Sequence, residues 1–394
     1  MRLYSLYAID GRARAGGKGA MTNMIEWAKS NALPLWWRVG ADHVSGGYFE
    51  SIALDGRPTV AQRRARVQAR QVYVYATAVQ VGWFADSIEA VEHGLSFFLG
   101  HYLREDGLFR TRVNSDGSAA DNSWTLYDQA FALFCMAQAA GIGERVDQCR
   151  TTALALYDKL FEIGRAQGGG FLETSGVPYQ SNPHMHLLEA SLAWEEVDPA
   201  GPWSALADEI IDLCLTRFIN RDGALREFFS PGWEQGEGVE GRIVEPGHQF
   251  EWAWLLARWG RMRSSARAIE GAKRLYEIGS GPGVDRDRGV AFNQMLEDYS
   301  IHDHAARLWP QTEWIKASAI LAEGANSAAQ REHYIGEARA AARGLQLYLE
   351  TPVVGLWRDK LQADGTFIDE PAPASSFYHI LCALVDSAER GIPL

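Results

Sequence analysis

"DGLFRTRVNSDG", Asp106 to Gly117, decides how the chain is read. Apolar and β-branched residues stand between two Asp-Gly pairs, the chemistry of a short strand or hairpin. Just beyond it, "SWTLYDQAFALFCMAQAAG" from Ser123 spaces apolar residues at three and four, the mark of a buried-face helix. The same order of signals recurs along the chain. "GGYFESIALDG" starts at Gly46, "GGGFLETSG" at Gly168 and "DGALREFFSPGW" at Asp222. "RGVAFNQMLEDY" follows at Arg288 and "GLWRDKLQADG" at Gly355, making six such elements. Helical patterns fill the intervals, including "ARVQARQVYVYATAVQVGWF", "HMHLLEASLAWEEV", "FEWAWLLARWGRM", "TEWIKASAILAEGA" and "SSFYHILCALVDSA". Second, more polar helices intervene, such as "SIEAVEHGLSFFLGHYL" and "HYIGEARAAARGLQLYLE". Six units of two helices and one short β element predict an all-α fold, an (α/α)6 barrel. This is a toroid of about twelve helices, with short β-hairpins at one rim and the apolar helices inside.

Composition sets outer bounds. The chain has 394 residues and a formal charge of −12, which argues against a general nucleic-acid binder while leaving room for a local basic patch. No run of some eighteen apolar residues occurs, so no membrane span is expected. Cys135, Cys149, Cys214 and Cys382 show no paired spacing and read as reduced thiols of a cytoplasmic protein. Residues 1–20, rich in Arg and Gly, read as a disordered leader, and 21–394 as a single barrel domain. Fourteen tryptophans supply a large aromatic core and, in part, flat surfaces on which sugar rings can pack.

Chemistry-bearing residues gather at the starts of alternate helices. "QSNPHMHLLEA" carries Asn182, read as an N-cap, with His184 and His186, which point to different helix faces. In "EPGHQFEWAWLL" Pro246 opens a helix, and His248 and Glu251 share a face, so Glu251 is expected to orient the imidazole or share its proton. "RLWPQTEWIKA" supplies Trp309 and Glu313, "SSFYHILCAL" His379, "VQARQVYVYA" Arg70, and "SWTLYDQAFALF" Tyr127. Each alone has a structural explanation: a satisfied core histidine, a helix-joining arginine, or a first-turn carboxylate favoured by the dipole. Repetition favours function, because helix ends on one rim of a barrel converge on one cavity. "HDH", His302 to His304, offers two imidazoles but no third ligand at diagnostic spacing, and no metal is expected. "GSGPG" at Gly279 lacks the frame of a nucleotide loop, and no Gly-x-Ser-x-Gly elbow is present.

Together, "QARQVYVYA", "NPHMHLLEA", "EPGHQFEWAWLL", "RLWPQTEWIKA" and "FYHI" resemble the N-acylglucosamine 2-epimerase family, most closely its mannose and sulfoquinovose isomerase branch. The resemblance runs from about Met21 to the C-terminus and implies the same barrel. It implies that His248 and His379 are the acid/base pair, and that Arg70 contacts the reacting oxygens. Asn182, His186, Glu251, Trp309, Glu313 and Tyr127 would bind the sugar, leaving His184 structural. The implied activity is aldose–ketose isomerisation through an enediol, with D-mannose and D-fructose favoured and 2-epimerisation of an N-acylglucosamine or a cellobiose-type sugar as the alternative. Histidine suits such chemistry, since its proton exchanges near neutrality and no cofactor is needed. His248 is expected to take the C2 proton, with His379 assisting. Only Arg70 and Arg307 stand out as basic in these motifs, so an unphosphorylated monosaccharide is the expected partner, with a homodimer left open. Two rivals remain: glycoside hydrolysis by Glu251 and Glu313, and carbohydrate binding without catalysis.

Overall fold

The computed structural model describes residues 23–394; the leader expected over 1–20 lies outside them. Twelve helical segments are found among the described residues. The first, α1 (24–40), alternates α and π turns. It is followed by α2 (Ala65–Val81), α3 (Ser87–His101), α4 (Leu126–Gly141) and α5 (Val146–Ile163). Next come α6 (Ser181–Val197), α7 (Trp203–Leu213), α8 (Pro246–Met262) and α9 (Ala266–Ser280). The last are α10 (Leu308–Glu323), α11 (Ala328–Leu349) and α12 (Ser375–Glu389).

Even-numbered helices form a closed inner ring: α2 packs on α4, α4 on α6, α6 on α8, α8 on α10, α10 on α12, and α12 returns to α2. Odd-numbered helices lie outside, each against its inner neighbour. At α1 the contact is aromatic, with Trp36 against Phe377 of α12 at 6.0 Å between ring centroids. Burial follows this division. Every residue of α10 from Leu308 to Ala322 is buried, whereas α9 buries one stripe containing Ala268, Ala272, Leu275 and Tyr276. A helix apolar all round belongs inside; a one-sided helix belongs at the surface. The (α/α)6 barrel expected from the repeat is therefore the fold, and its hydrophobic core runs continuously between the two rings.

Short antiparallel β pairs sit at the rim where the inner helices begin. Arg63–Arg64 pairs with Arg112–Val113 just before α2, and Ala306–Arg307 pairs with Lys360–Leu361 just before α10. Tyr179–Gln180 pairs with Phe228–Ser230 before α6, and Ile243–Val244 with Gln294–Leu296 before α8. The fourth residue of the inner helices is Gln68, Gln129, His184, Gln249, Gln311 or Tyr378 in turn. A recurrent clamp at this position fixes five of the six inner helices to this rim; at the same position of α12, Tyr378 turns instead to Glu189 inside the ring. Each of the four glutamines both accepts from and donates to the backbone of one hairpin residue: Tyr48, Phe109, Leu225 and Ala291. Such pairing satisfies buried peptide groups that no regular sheet reaches. The approach is close: Gly47 has φ +71°, and a Cβ there would meet the Gln68 Oε1 at 2.7 Å. Glycine alone accepts both demands.

The ring is sewn shut between its first and last inner helices. Gln71 Nε2 donates to Ala374 O at 2.8 Å, and Arg70 Nη1 donates to Ser375 O at 3.2 Å. The four cysteines are buried and unpaired. No helix among the described residues is long and apolar enough to cross a membrane.

Candidate active site

Because inner-helix starts meet at one rim, residues one turn apart near each start face the axis together. The second and sixth positions are Arg66 and Arg70 on α2, Asn182 and His186 on α6, Gly247 and Glu251 on α8, and Trp309 and Glu313 on α10. With Tyr127, His248 and His379, all of these but Gly247 and Glu313 surround a cavity of about 290 Å³. That is near the lower end for small-molecule sites, about 300–1,000 Å³. All the residues singled out from the sequence lie on this cavity except Glu313, which stands behind His379.

Two imidazoles face it in opposite electrostatic settings. His248 Nδ1 lies 2.8 Å from Glu227 Oε2 and 3.4 Å from Glu245 Oε2. Burial pulls this imidazole down, but the charges of Glu227 and Glu245 outweigh it and raise its pKa to about 10. His379 Nδ1 lies 2.8 Å from Glu313 Oε1. Burial pushes its pKa well below 6.5, and the nearby cations of Arg70 and Lys316 push in the same direction. His248 is thus an imidazolium and His379 a neutral base at neutral pH. The Trp309 indole packs on both, with ring centroids 4.9 Å from His248 and 5.7 Å from His379. Gly247 makes that packing feasible, since a Cβ there would collide with the indole.

Beneath the imidazoles lies a buried layer of acids and one cation. Lys316, fully buried, places Nζ 2.7 Å from Glu313 Oε2 and 4.1 Å above the Trp254 ring. His186 Nδ1 is 2.8 Å from Glu189 Oε2, and Tyr378 Oη donates to the same carboxylate at 2.6 Å. Burial lowers the His186 pKa to about 4 despite that carboxylate, so the ring stays neutral and donates to it. Glu251 has no hydrogen-bond partner on either oxygen, and burial beside Glu313 drives its pKa well above the usual range. His186, Glu189 and Glu251 form one of two groupings among the described residues whose donor atoms lie within 4.8 Å; Glu251, Glu313 and His379 form the other. The Lys316 ammonium already supplies a cation to this layer.

Several sequence expectations shift in detail. The carboxylate orienting His248 is Glu227, from the segment before α8, rather than Glu251, which approaches His186 Nδ1 only to 4.0 Å. No spacing rule links Glu227 to a histidine 21 positions on; strand pairing beside α6, with Ser181 N donating to Glu227 O, puts it there. Asn182 is the second residue of α6, not its cap, and its Oδ1 is unpartnered. His184 occupies the clamp position, accepting from Phe171 N at 2.9 Å. His302 and His304 are exposed and belong to neither donor grouping. The motifs showed two arginines, but four line the cavity: Arg64, Arg66, Arg70 and Arg307. Arg66 was legible in principle, standing four residues before Arg70 on one helix face.

Comparison with known proteins places the chain in a family. The profile of the family described as N-acylglucosamine 2-epimerase matches residues 47–383. A mannose-6-phosphate isomerase of Rhizobium meliloti (strain 1021) is 47% identical over 369 residues, covering 91% of this chain and 94% of the relative. A D-mannose isomerase of Thermobifida fusca is 28% identical, covering 72% of this chain and 74% of its own. A crystal structure of D-mannose isomerase superposes with a TM-score of 0.85 at 18% identity, covering 95% of this chain and 100% of that one. The chain is an enzyme of sugar isomerisation or epimerisation, and it belongs to the N-acylglucosamine 2-epimerase family.

Proposed function

We propose that the protein interconverts an aldohexose of mannose configuration and its ketose, with His379 as the carbon base and His248 as the oxygen acid. The observation that carries this reading is the placement of two imidazoles on one cavity in opposite settings, His248 beside the carboxylates of Glu227 and Glu245 and His379 near the cations of Arg70 and Lys316. His379 donates Nδ1–H to Glu313, which leaves the Nε2 lone pair free to take the C2 proton of the open-chain aldose. As charge develops on the carbonyl oxygen, the His248 imidazolium protonates it, and Arg70 stabilises the enediol oxygens. His379 then returns its proton to C1 while the now neutral His248 removes the proton from O2. The ketose forms, and both imidazoles regain their starting states. These roles reverse the expectation that His248 takes the C2 proton.

The isomerase outcome is supported by the relatives named for mannose and mannose 6-phosphate isomerisation. The same pair could invert C2 if His248 delivered its proton to the opposite face, which keeps 2-epimerisation as the second reading. Incubating D-mannose with the protein in heavy water and following it by proton NMR separates them. Fructose deuterated at C1 supports the proposal; glucose deuterated at C2 without ketose would overturn it in favour of the epimerase. Four reduced, buried thiols fit a cytoplasmic location.

A further inference from the structure

Three arginines stand above the catalytic pair, and the carbon chemistry uses none of them. Arg64 caps α2, Arg66 lies in its first turn, and Arg307 caps α10, so they reach the cavity from two different sides of the ring. Each is fixed by a carboxylate behind it. Arg64 Nε donates to Glu50 at 2.7 Å, Arg66 Nε to Asp128 at 2.8 Å, and Arg307 Nη2 to Asp359 at 3.0 Å. The anchoring acids are themselves buried or nearly so: the side chains of Asp128 and Asp359 are 0% and 3% exposed, and that of Glu50 11%. The arginines keep 37%, 27% and 41% side-chain exposure while lining the cavity. Both Nη atoms of Arg64, and Nη1 of Arg66 and of Arg307, make no hydrogen bond with the protein among the described residues.

Their height above the floor matters. Arg66 is one turn nearer the rim than Arg70, about 6 Å at 1.5 Å per residue. An extended hexose covers about that distance between its first and last carbons, across five carbon–carbon bonds. A sugar with C1 and C2 between His248 and His379 therefore presents C6 to these open guanidinium edges. Forked N–H groups of this kind match the oxygens of a phosphate monoester, which accept two parallel charge-assisted hydrogen bonds.

We infer that Arg64, Arg66 and Arg307 form a subsite for a phosphate ester on C6, making hexose 6-phosphate the preferred substrate class. The inference rests on the isomerase reading above for where C1 and C2 sit. It also departs from the unphosphorylated sugar expected from the motifs alone, which showed only half of the arginines.

The test compares D-mannose 6-phosphate with D-mannose in the full-length wild type and in Arg64→Gln and Arg307→Gln. Melting curves would check that each variant folds, and Arg307→Lys serves as a second variant that keeps the Asp359 pair. The expected result is a higher kcat/KM for the phosphate ester in the wild type. Its ratio to that of free mannose should fall by about tenfold or more in each variant, the equivalent of one charge-assisted hydrogen bond. An unchanged ratio, or a wild type that prefers free mannose, overturns the phosphate subsite and leaves isomerisation standing. Calorimetric binding of mannose 6-phosphate to the same proteins reads the subsite without turnover. Arginine-dependent binding with no ketose from either sugar would sink the isomerase reading and retain the subsite; binding indifferent to both arginines would sink the subsite.

Discussion

Replacing Glu227 by Gln should convert His248 from a permanent acid into one that titrates in the working range. The substitution keeps the shape of the side chain and a hydrogen-bonding oxygen for Nδ1, while removing the negative charge 2.8 Å away. Raising an imidazole from 6.5 to about 10 against the pull of burial corresponds to roughly 5 kcal/mol of preference for the imidazolium, at about 1.4 kcal/mol per pH unit. Glu227 is the larger of the two upward influences, since Glu245 stands farther off at 3.4 Å. Taking away about half of that preference brings the pKa down by about two pH units, to near 8. The protonated form is the active acid, so the alkaline limb of kcat should move from near pH 10 in the wild type to near pH 8 in Glu227→Gln. Stability follows the same sign. A pKa raised by folding stabilises fully below the unfolded value near 6.5, and this contribution is lost as pH rises through about 10. The variant should lose less stability than the wild type between those limits, as thermal melts across the range would show. Histidine 15N NMR gives the direct reading. If the His248 resonance titrates identically in both proteins, or is neutral at pH 7 in the wild type, the reasoning about this site is wrong.

His379→Gln should lower C2 proton exchange into heavy water by about 10²–10⁴-fold, and retention of exchange would remove His379 from the base role. With the His379 pKa held well below 6.5, wild-type kcat/KM should stay level as pH falls through 6.5; an acid limb centred there would contradict its environment. His184→Gln restores the residue found at the same position of four other inner helices, so it should leave turnover and melting temperature close to wild type. His184→Ala should instead cost about 1–3 kcal/mol in denaturant unfolding, since the Phe171 N–H loses its acceptor. Lys316→Met leaves Glu313 buried without its cation, and calorimetry should show about 3–5 kcal/mol of lost stability; a melting point equal to wild type would mean the acid layer is neutral without it.

The barrel was readable because its signals are local and repeat: a glycine-led turn, then a helix without a polar face, six times over. The cavity-facing set was readable for a related reason. Asn182 and His186, or His248 and Glu251, stand about one turn apart, so helix geometry alone aligns them. Partners supplied across the ring were not readable. Glu227 reaches His248 through strand pairing, Tyr378 reaches Glu189 from 189 positions away, and Arg64 is placed by the register of Arg64 against Arg112. The protonation states also lay beyond the sequence. They depend on which of two similar histidines has a second carboxylate and which has cations nearby, and only the packed ring decides that.

The seam between α2 and α12 has a consequence for how activity arises during synthesis. Arg70 and Gln71 are tied to backbone carbonyls at the entrance of the last helix, which also carries His379 and Tyr378. A chain emerging from the ribosome can pack five inner helices and most of its core while still lacking His379, the proposed carbon base, and one anchor of the arginine. Docking of the final helix closes the toroid and brings His379 to the cavity beside His248 in a single event. A nascent chain is therefore catalytically silent until its architecture is finished, and turnover itself reports ring closure.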